Sequence, residues 1–384
     1  MGDIGASEAE HVTPWASLRR VVHGLRTEGT GPVREAAAIG VGVFVGCSPF
    51  YGFHLLLCWG LGALLGLNRL KMYLAAHVSN PAIAPFLLLT QVQVGAWLSR
   101  RTTHALTLQT VTTVDPFVFG HDLLVGSVVV GGLLAVAAAA LTYAVAQSHD
   151  STFDVLTART ADRFIGESLV AWEFARGKLR RDPVYATILS GSLLPSGGTL
   201  VDIGCGQGLM LGLLVEADAV VRASTWPSGR PHPPRFDKLL GVELRPKVAR
   251  LAQLALRDRA EILQANARDV PLDNCSAVLM FDVLHMMPDA EQRTLLHRVG
   301  EALTDEGVIV IRDADRSAGW RFAIVRTVNW VQAMRVGAWR QLFQYRARHE
   351  WLALLDSCGF DAEVCPQRGG GTLGNCLFRA RRRR

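Results

Sequence analysis

The sequence predicts two parts: a doubly wound α/β domain in its second half and an all-helical hydrophobic domain before it. Three observations carry this. From Thr199 onward, short apolar runs alternate with helix-length segments, as crossover units on a parallel sheet require. The first run, Thr199 to Ile203, leads into Gly204, Gly206 and Gly208 and then an apolar helical stretch from Leu209. Before residue 150, by contrast, uncharged runs of bilayer length dominate, and most of the 49% hydrophobic content is concentrated there.

Charge follows the same division. The net +6 hides an even first half, with eight Lys/Arg against eight Asp/Glu in residues 1–150, so the basic excess belongs to the second half and ends in Arg381 to Arg384. Basic character beside membrane-like runs points to anionic lipid, and there is no nucleic-acid signature. The seven cysteines are scattered without a C-x-x-C pair, so neither a metal site nor a disulfide framework is indicated. The first 14 residues are polar and carry three acids, so no cleaved leader is expected.

Taken in order, Trp15 to Arg26 is a short amphipathic basic stretch suited to a membrane surface. Ala36 to Leu67 then runs 32 residues without a charge. As one helix it would be about 48 Å long against a hydrocarbon core of about 30 Å. Ser48 to Gly52 interrupts it with proline and glycine, and basic residues stand at both ends, so a re-entrant hairpin is expected. Met72 to Ser99 is uncharged apart from His77 and is expected to cross once, kinked by Pro81 and Pro85. Residues 102–122 hold no Lys or Arg, and Leu123 to Ala146 is a clean apolar run of 24 that can span. This topology leaves residues 150–384 in the cytosol, at the cytoplasmic membrane. A hydrophobic but soluble helical bundle is the alternative.

Gly42-x-Phe44-x-Gly46-x-x-Pro49-x-x-Gly52, followed by Asn68 and Asn80-Pro81, resembles the membrane-associated domain-of-unknown-function family 2062. The resemblance covers about residues 15–146. It implies an integral membrane module without chemistry. Asn68, His77 and Asn80 read as satisfying broken helix ends rather than as ligands. Gln147 to Asp162 reads as a polar linker, and 151–384 as the second domain.

In that domain the glycine loop must be told apart from a dinucleotide site. The spacing is G-x-G-x-G with Leu209 next, whereas a dinucleotide fingerprint places its third small residue one position later. Asp202, two residues before the first glycine, suits an ammonium better than a pyrophosphate. Upstream, Ala171 to Leu189 reads as helix broken at Asp182-Pro183, with a K-L-x-x-D-P-x-Y segment ending at Tyr185. Val220 to Phe236, with four prolines, reads as a surface insertion. Lys238 to Glu243 is the second strand, and its terminal acid can accept two ribose hydroxyls. Arg245 to Arg257 is a helix, and Glu261 to Asp269 a strand running into a loop. Ala277 to His285 and Gly307 to Asp313 are two further strands reaching the same sheet edge.

Together these residues resemble class I S-adenosylmethionine (SAM) methyltransferases over about residues 165–380. The resemblance implies a Rossmann-like seven-stranded sheet whose last strand is antiparallel, with Glu363 to Pro366 and Asn375 to Ala380 flanking Gly369 to Gly371. It implies SAM as cofactor, held by Asp202, Gly204, Cys205, Gly206, Gly208, Glu243, Asn266, Ala267 and Asp282. Asn266 departs from the acid commonly found at that position, although its carbonyl can still accept from an adenine amino group. His285 is the one well-placed imidazole, either as a general base or as packing over the cofactor. Arg312 to Trp351 carries eight arginines and Trp320, Trp330, Trp339 and Trp351, which suits a membrane interface, an acyl-substrate lid or a solvated cap. The acceptor implied is a small molecule, lipid-like or derived from fatty-acid or polyketide assembly. A non-catalytic sensor or scaffold is the alternative; a nicotinamide oxidoreductase loses on the glycine spacing.

Overall fold

The computed structural model describes residues 14–29, 31–103, 115–147, 151–190, 193–257, 259–270, 272–335, 343–367 and 374–383. It divides into two compact units, Met1–Asp150 and Ser151–Arg384.

The described residues of the first unit form helices α1 (Pro14–Thr27), α2 (Pro32–Cys47), α3 (His54–Leu65), α4 (Arg69–Ala76), α5 (Ala84–Arg100) and α6 (Pro116–Gln147). Glycines set their spacing. A Cβ on Gly42 or Gly46 of α2 would stand 2.4 or 2.3 Å from the carbonyl oxygens of Met72 and Ala76 on α4. On Gly95 or Gly126, where α5 crosses α6, it would stand 1.8 or 1.7 Å from the carbonyls of Asp122 and Gln91. Backbone-to-backbone packing of this kind is how helices associate when hydrophobicity alone does not drive them together.

The charge-free run 36–67 breaks between α2 and α3, with Gly52 at φ 87°. Asn68 caps α4 by accepting from the Lys71 amide at 2.8 Å, and its Nδ2 donates to the carbonyls of Leu25 and Glu28. The Met72 to Ser99 run is broken sharply: Arg69–Ser79 and Ala84–Arg100 meet at 80°. Asn80 makes the break, its carbonyl taking the amides of Ile83 and Ala84 and its side chain that of Ala82. Helix α6 is long and apolar enough to cross a membrane, and most of its apolar length is not buried within the protein. Asp122 near its start is fully buried and takes both ends of the Arg100 guanidinium.

In the second unit the strands are β1 (Thr199–Ile203), β2 (Lys238–Glu243), β3 (Glu261–Gln264), β4 (Cys275–Phe281), β5 (Leu303–Ala314), β6 (Phe360–Cys365) and β7 (Asn375–Arg382). They form one seven-stranded sheet in the order β3-β2-β1-β4-β5-β7-β6. β1 to β5 pair in parallel, and β7 lies antiparallel between β5 and β6. The strand order reverses beside β1, so the crevice beyond the carboxyl ends of β1 and β4 is the ligand-binding position of such a sheet. Gly369 to Gly371 lie outside the described residues.

The part of the supposed linker beyond residue 150 is a helix, α7 (Ser151–Asp162). Leu156, Thr157, Thr160 and Ala161 form its buried face. Thr160 packs on Gly212 of α10 (Leu209–Arg222), the helix after β1. A face half made of threonine reads as polar residue by residue, yet its methyl groups pack as apolar surface. Helices α8 (Leu169–Arg181) and α9 (Pro183–Leu189) follow, broken at Asp182-Pro183, where Asp182 accepts from the Val184 amide.

Candidate active site

Strand β1 ends in a turn whose three glycines all have positive φ: 74° at Gly204, 57° at Gly206 and 73° at Gly208. Their surroundings differ. A Cβ on Gly204 would strike Val283 at 2.3 Å, and one on Gly208 would strike Leu256 at 2.7 Å, so these two allow close packing. A Cβ on Gly206 meets nothing within 4 Å. Gly206 therefore presents bare backbone to open space, and a side chain there would fill that space. The Gly204 and Cys205 amides are tied to the Val242 carbonyl at 2.8 and 3.0 Å. The Cys205 thiol packs inward against Gly241, and burial pushes its pKa up, so only its backbone faces the loop.

Two acids lie behind this turn. Asp202 is 3% exposed; burial, and then the nearby Glu243 carboxylate, push its pKa up to about 7. Glu243 ends β2 and is also buried, but it accepts from the Arg245 amide at 2.9 Å and from its guanidinium at 2.9 and 3.1 Å. Burial works to raise the Glu243 pKa, and these hydrogen bonds overcome it, so the net shift is downward. The pair thus offers one firmly ionised carboxylate and one that a cation would help to ionise, behind a turn open at Gly206. That set fits a cationic nucleoside such as SAM, through its ammonium and its ribose hydroxyls.

At the end of β3, the Asn266 side-chain oxygen accepts from the Arg268 amide at 3.1 Å, and Ala267 is buried in the core. Asn266 is thus held in a local turn, and the Ala267 side chain is part of the hydrophobic core.

At the end of β4, Asp282 adopts φ 58°, a left-handed conformation that Asp tolerates. Its amide donates to the Arg312 carbonyl, and its carboxylate takes the Arg312 guanidinium. Arg312 on β5 is 3% exposed and also grips both oxygens of Asp182 at 2.5 Å. Lys178 adds 2.7 Å to the same carboxylate. The D-P-x-Y segment is thereby bound to the sheet, with Tyr185 buried beneath it. Arg312 is not a solvated member of the basic stretch, and Trp351 is a core residue whose indole donates to the Ala314 carbonyl at 3.3 Å. Trp339 lies outside the described residues.

His285 follows on a short turn and is 3% exposed. Its Nδ1 lies 2.7 Å from Asp313 Oδ1, and its amide donates to Asp313 Oδ2 at 3.1 Å. With Asp313 accepting, Nδ1 carries the proton and Nε2 keeps its lone pair. Asn329 Nδ2 lies 3.2 Å from Nε2 and also donates to the Tyr345 hydroxyl at 2.9 Å, while Tyr345 stacks on the imidazole at 5.1 Å. Burial works against the imidazolium, but the Asp313 carboxylate outweighs it and raises the His285 pKa. The role of Asp313 was open to sequence reading, since it ends a strand at the same edge as His285. Asn329 and Tyr345 left no signal, because their partner is distant in the chain.

A family model described as a methyltransferase domain matches residues 172–363. The chain belongs to the methyltransferase-domain family. This methyltransferase is SAM-dependent, and its glycine turn and acid pair fit that cofactor. A second model, an uncharacterized protein conserved in bacteria (DUF2062), matches residues 16–152. Among solved structures, the methyltransferase is similar to mitomycin 7-O-methyltransferase MmcR at 19% identity, over 95% of this chain and 97% of that one, with a TM-score of 0.40. Magnesium protoporphyrin IX methyltransferase (ChlM) from Synechocystis PCC 6803, with bound SAH, is 15% identical over 60% of this chain and 98% of that one, with a TM-score of 0.36. The DhpI–SAH complex is 14% identical over 60% and 95%, with a TM-score of 0.35. No curated protein matches the chain significantly.

Proposed function

We propose that this methyltransferase methylates a hydroxyl group of a small, lipid-like acceptor at the cytosolic face of a membrane. The observation that carries the chemistry is the buried His285–Asp313 pair at 2.7 Å, which favours the proton on Nδ1 in the neutral ring and so a lone pair on Nε2. A hydroxyl is a weak nucleophile until its proton leaves, and in this reading Nε2 takes that proton. Asp313 holds the tautomer and stabilises the imidazolium that forms. Asn329, at 3.2 Å from Nε2, stands where an acceptor hydroxyl would compete for the same lone pair.

Bound SAM supplies a methyl group on a sulfonium, which needs an acceptor held in line with it. Asp202 and Glu243 would hold its ammonium and ribose, and the backbone of Gly204, Cys205, Gly206 and Gly208 would border it. Asp282, and Asn266 with Ala267 through their backbone, would line the remaining edge. The anchor in this reading is residues 15–146, with α6 as one crossing and the bent α4–α5 pair as a broken one; residues 151–384 form the enzyme. The apolar length of α6 supports this. The test is mass spectrometry of lipid extracts from cells with and without the gene, repeated with His285→Ala. A species heavier by one methylene that needs His285 is the expected result; identical extracts would count against the acceptor class.

A further inference from the structure

We propose that helix α13 (Trp320–Arg335) is a second membrane contact, seating its outer face on the headgroups of an anionic lipid surface. The helix has two faces. Phe322, Asn329 and Ala333 face inward: Phe322 packs edge-on against Tyr345 at 5.1 Å, Asn329 bonds His285, and Ala333 is buried. At about 100° per residue, Trp320, Ile324, Val328, Val331 and Met334 fall on the opposite face, and all five are exposed, Trp320 to 70%. Arg321 lies at the flank of this stripe, while Arg326 lies on the side next to Ala333; both are exposed. The sequence of the helix contains three arginines and no acid. Among the described residues, neither Arg321 nor Arg326 has a carboxylate partner, and Arg321 lies over the Trp320 ring at 5.7 Å.

An apolar stripe on a basic, acid-free helix, with Trp320 and Arg321 at its border, is the pattern of a helix lying in a bilayer interface. The charge disfavours the obvious rival. A second copy docked on this face would set two arginine-bearing, acid-free helices against each other, whereas anionic headgroups complement both. The stripe also points away from His285, so an acceptor in the site does not cover it.

The inference rests in part on the reading of α6 as an anchor, and the experiment separates the two. All seven cysteines are buried, so Ile324→Cys in the full chain can carry an environment-sensitive NBD label, with Asp361→Cys on β6 as control. The full chain is reconstituted in nanodiscs of phosphatidylcholine with and without phosphatidylglycerol. The label at 324 is expected to shift to shorter wavelength in the anionic discs and the control is not. High salt, or Arg321→Glu with Arg326→Glu, should reverse the shift while SAM binding persists. Equal emission at 324 in anionic discs, neutral discs and detergent would overturn the proposal. So would a shift that appears in detergent and grows with protein concentration, which would mean a second copy. If the chain does not enter discs, the anchor reading fails, and phosphatidylglycerol vesicles added to the labelled chain decide α13 alone: a shift supports it, none overturns it.

Discussion

His285 and Asp313 meet across the ends of β4 and β5 at 2.7 Å, and both are buried almost completely. The second oxygen of Asp313 holds the His285 amide, so ring and backbone are positioned by one carboxylate.

Replacing the imidazole tests the base directly. His285→Ala should lower kcat by about 10²-fold, the lower end of what a general base contributes, with the dissociation constant for SAM nearly unchanged. Asp313→Asn should produce a similar loss through the wrong tautomer. Because burial opposes and Asp313 outweighs it, the His285 pKa lies above its ordinary value. The rate should therefore rise with pH through that raised value, and Asp313→Asn should move the midpoint down. Stability runs the other way: the contribution is complete below about pH 6.5, the unfolded value, and fades as pH rises through the folded one. Kinetics against pH, with equilibrium unfolding alongside, separate the two. Full activity in both variants would reduce the pair to packing.

Cofactor affinity should depend on the turn and on the acid behind it. SAM is expected to bind with a micromolar constant, about −8 kcal/mol. Gly206→Arg should abolish binding by filling the open space beside its α-carbon, and Glu243→Ala should weaken it. Titration calorimetry of the full chain with S-adenosylhomocysteine reads both; wild-type affinity in both would remove the cofactor from this loop.

Arg312 bridges Asp182 and Asp282 from inside the protein, so removing it strands carboxylates in a half-dry setting. Arg312→Met should cost about 3 kcal/mol, the lower end for breaking a buried pair, and Asp182→Asn in the same chain should restore part of it. Burial acts to raise the Asp182 pKa, and the Arg312 and Lys178 cations hold it low instead. This stabilisation is present above the ordinary Asp value and is lost as pH falls through the depressed one. Denaturant midpoints measured from neutral to acid pH give the result; an unchanged midpoint for Arg312→Met would mean the bridge is idle.

Topology follows from α6. A cysteine at Asp115 should react with an impermeant maleimide from outside intact cells, and one at Ser151 should not. Labelling at Ser151 alone would invert the arrangement, and labelling at neither would mean the unit does not span. This arrangement puts Arg100 at the outer interface, where the rule that basic residues stay in the cytosol disfavours it, but buried Asp122 pairs with it.

The sequence by itself determined the five parallel strands, the glycine turn and the acid that ends β2, because each is written in a few consecutive residues: an apolar run, a spacing, an acid at a strand end. Its limits have the same origin. Thr157 and Thr160 made the second part of a linker look polar until their helix face met α10. Arg312 looked like one solvated arginine among eight, and Asp182 like part of a helix break, until the sheet brought them to 2.5 Å across 130 residues of chain. Asn329 became part of the His285 site only because α13 folds back over it. Tertiary structure alone decided which polar groups share a buried space, since that choice depends on who else has been removed from water, and no local pattern records it.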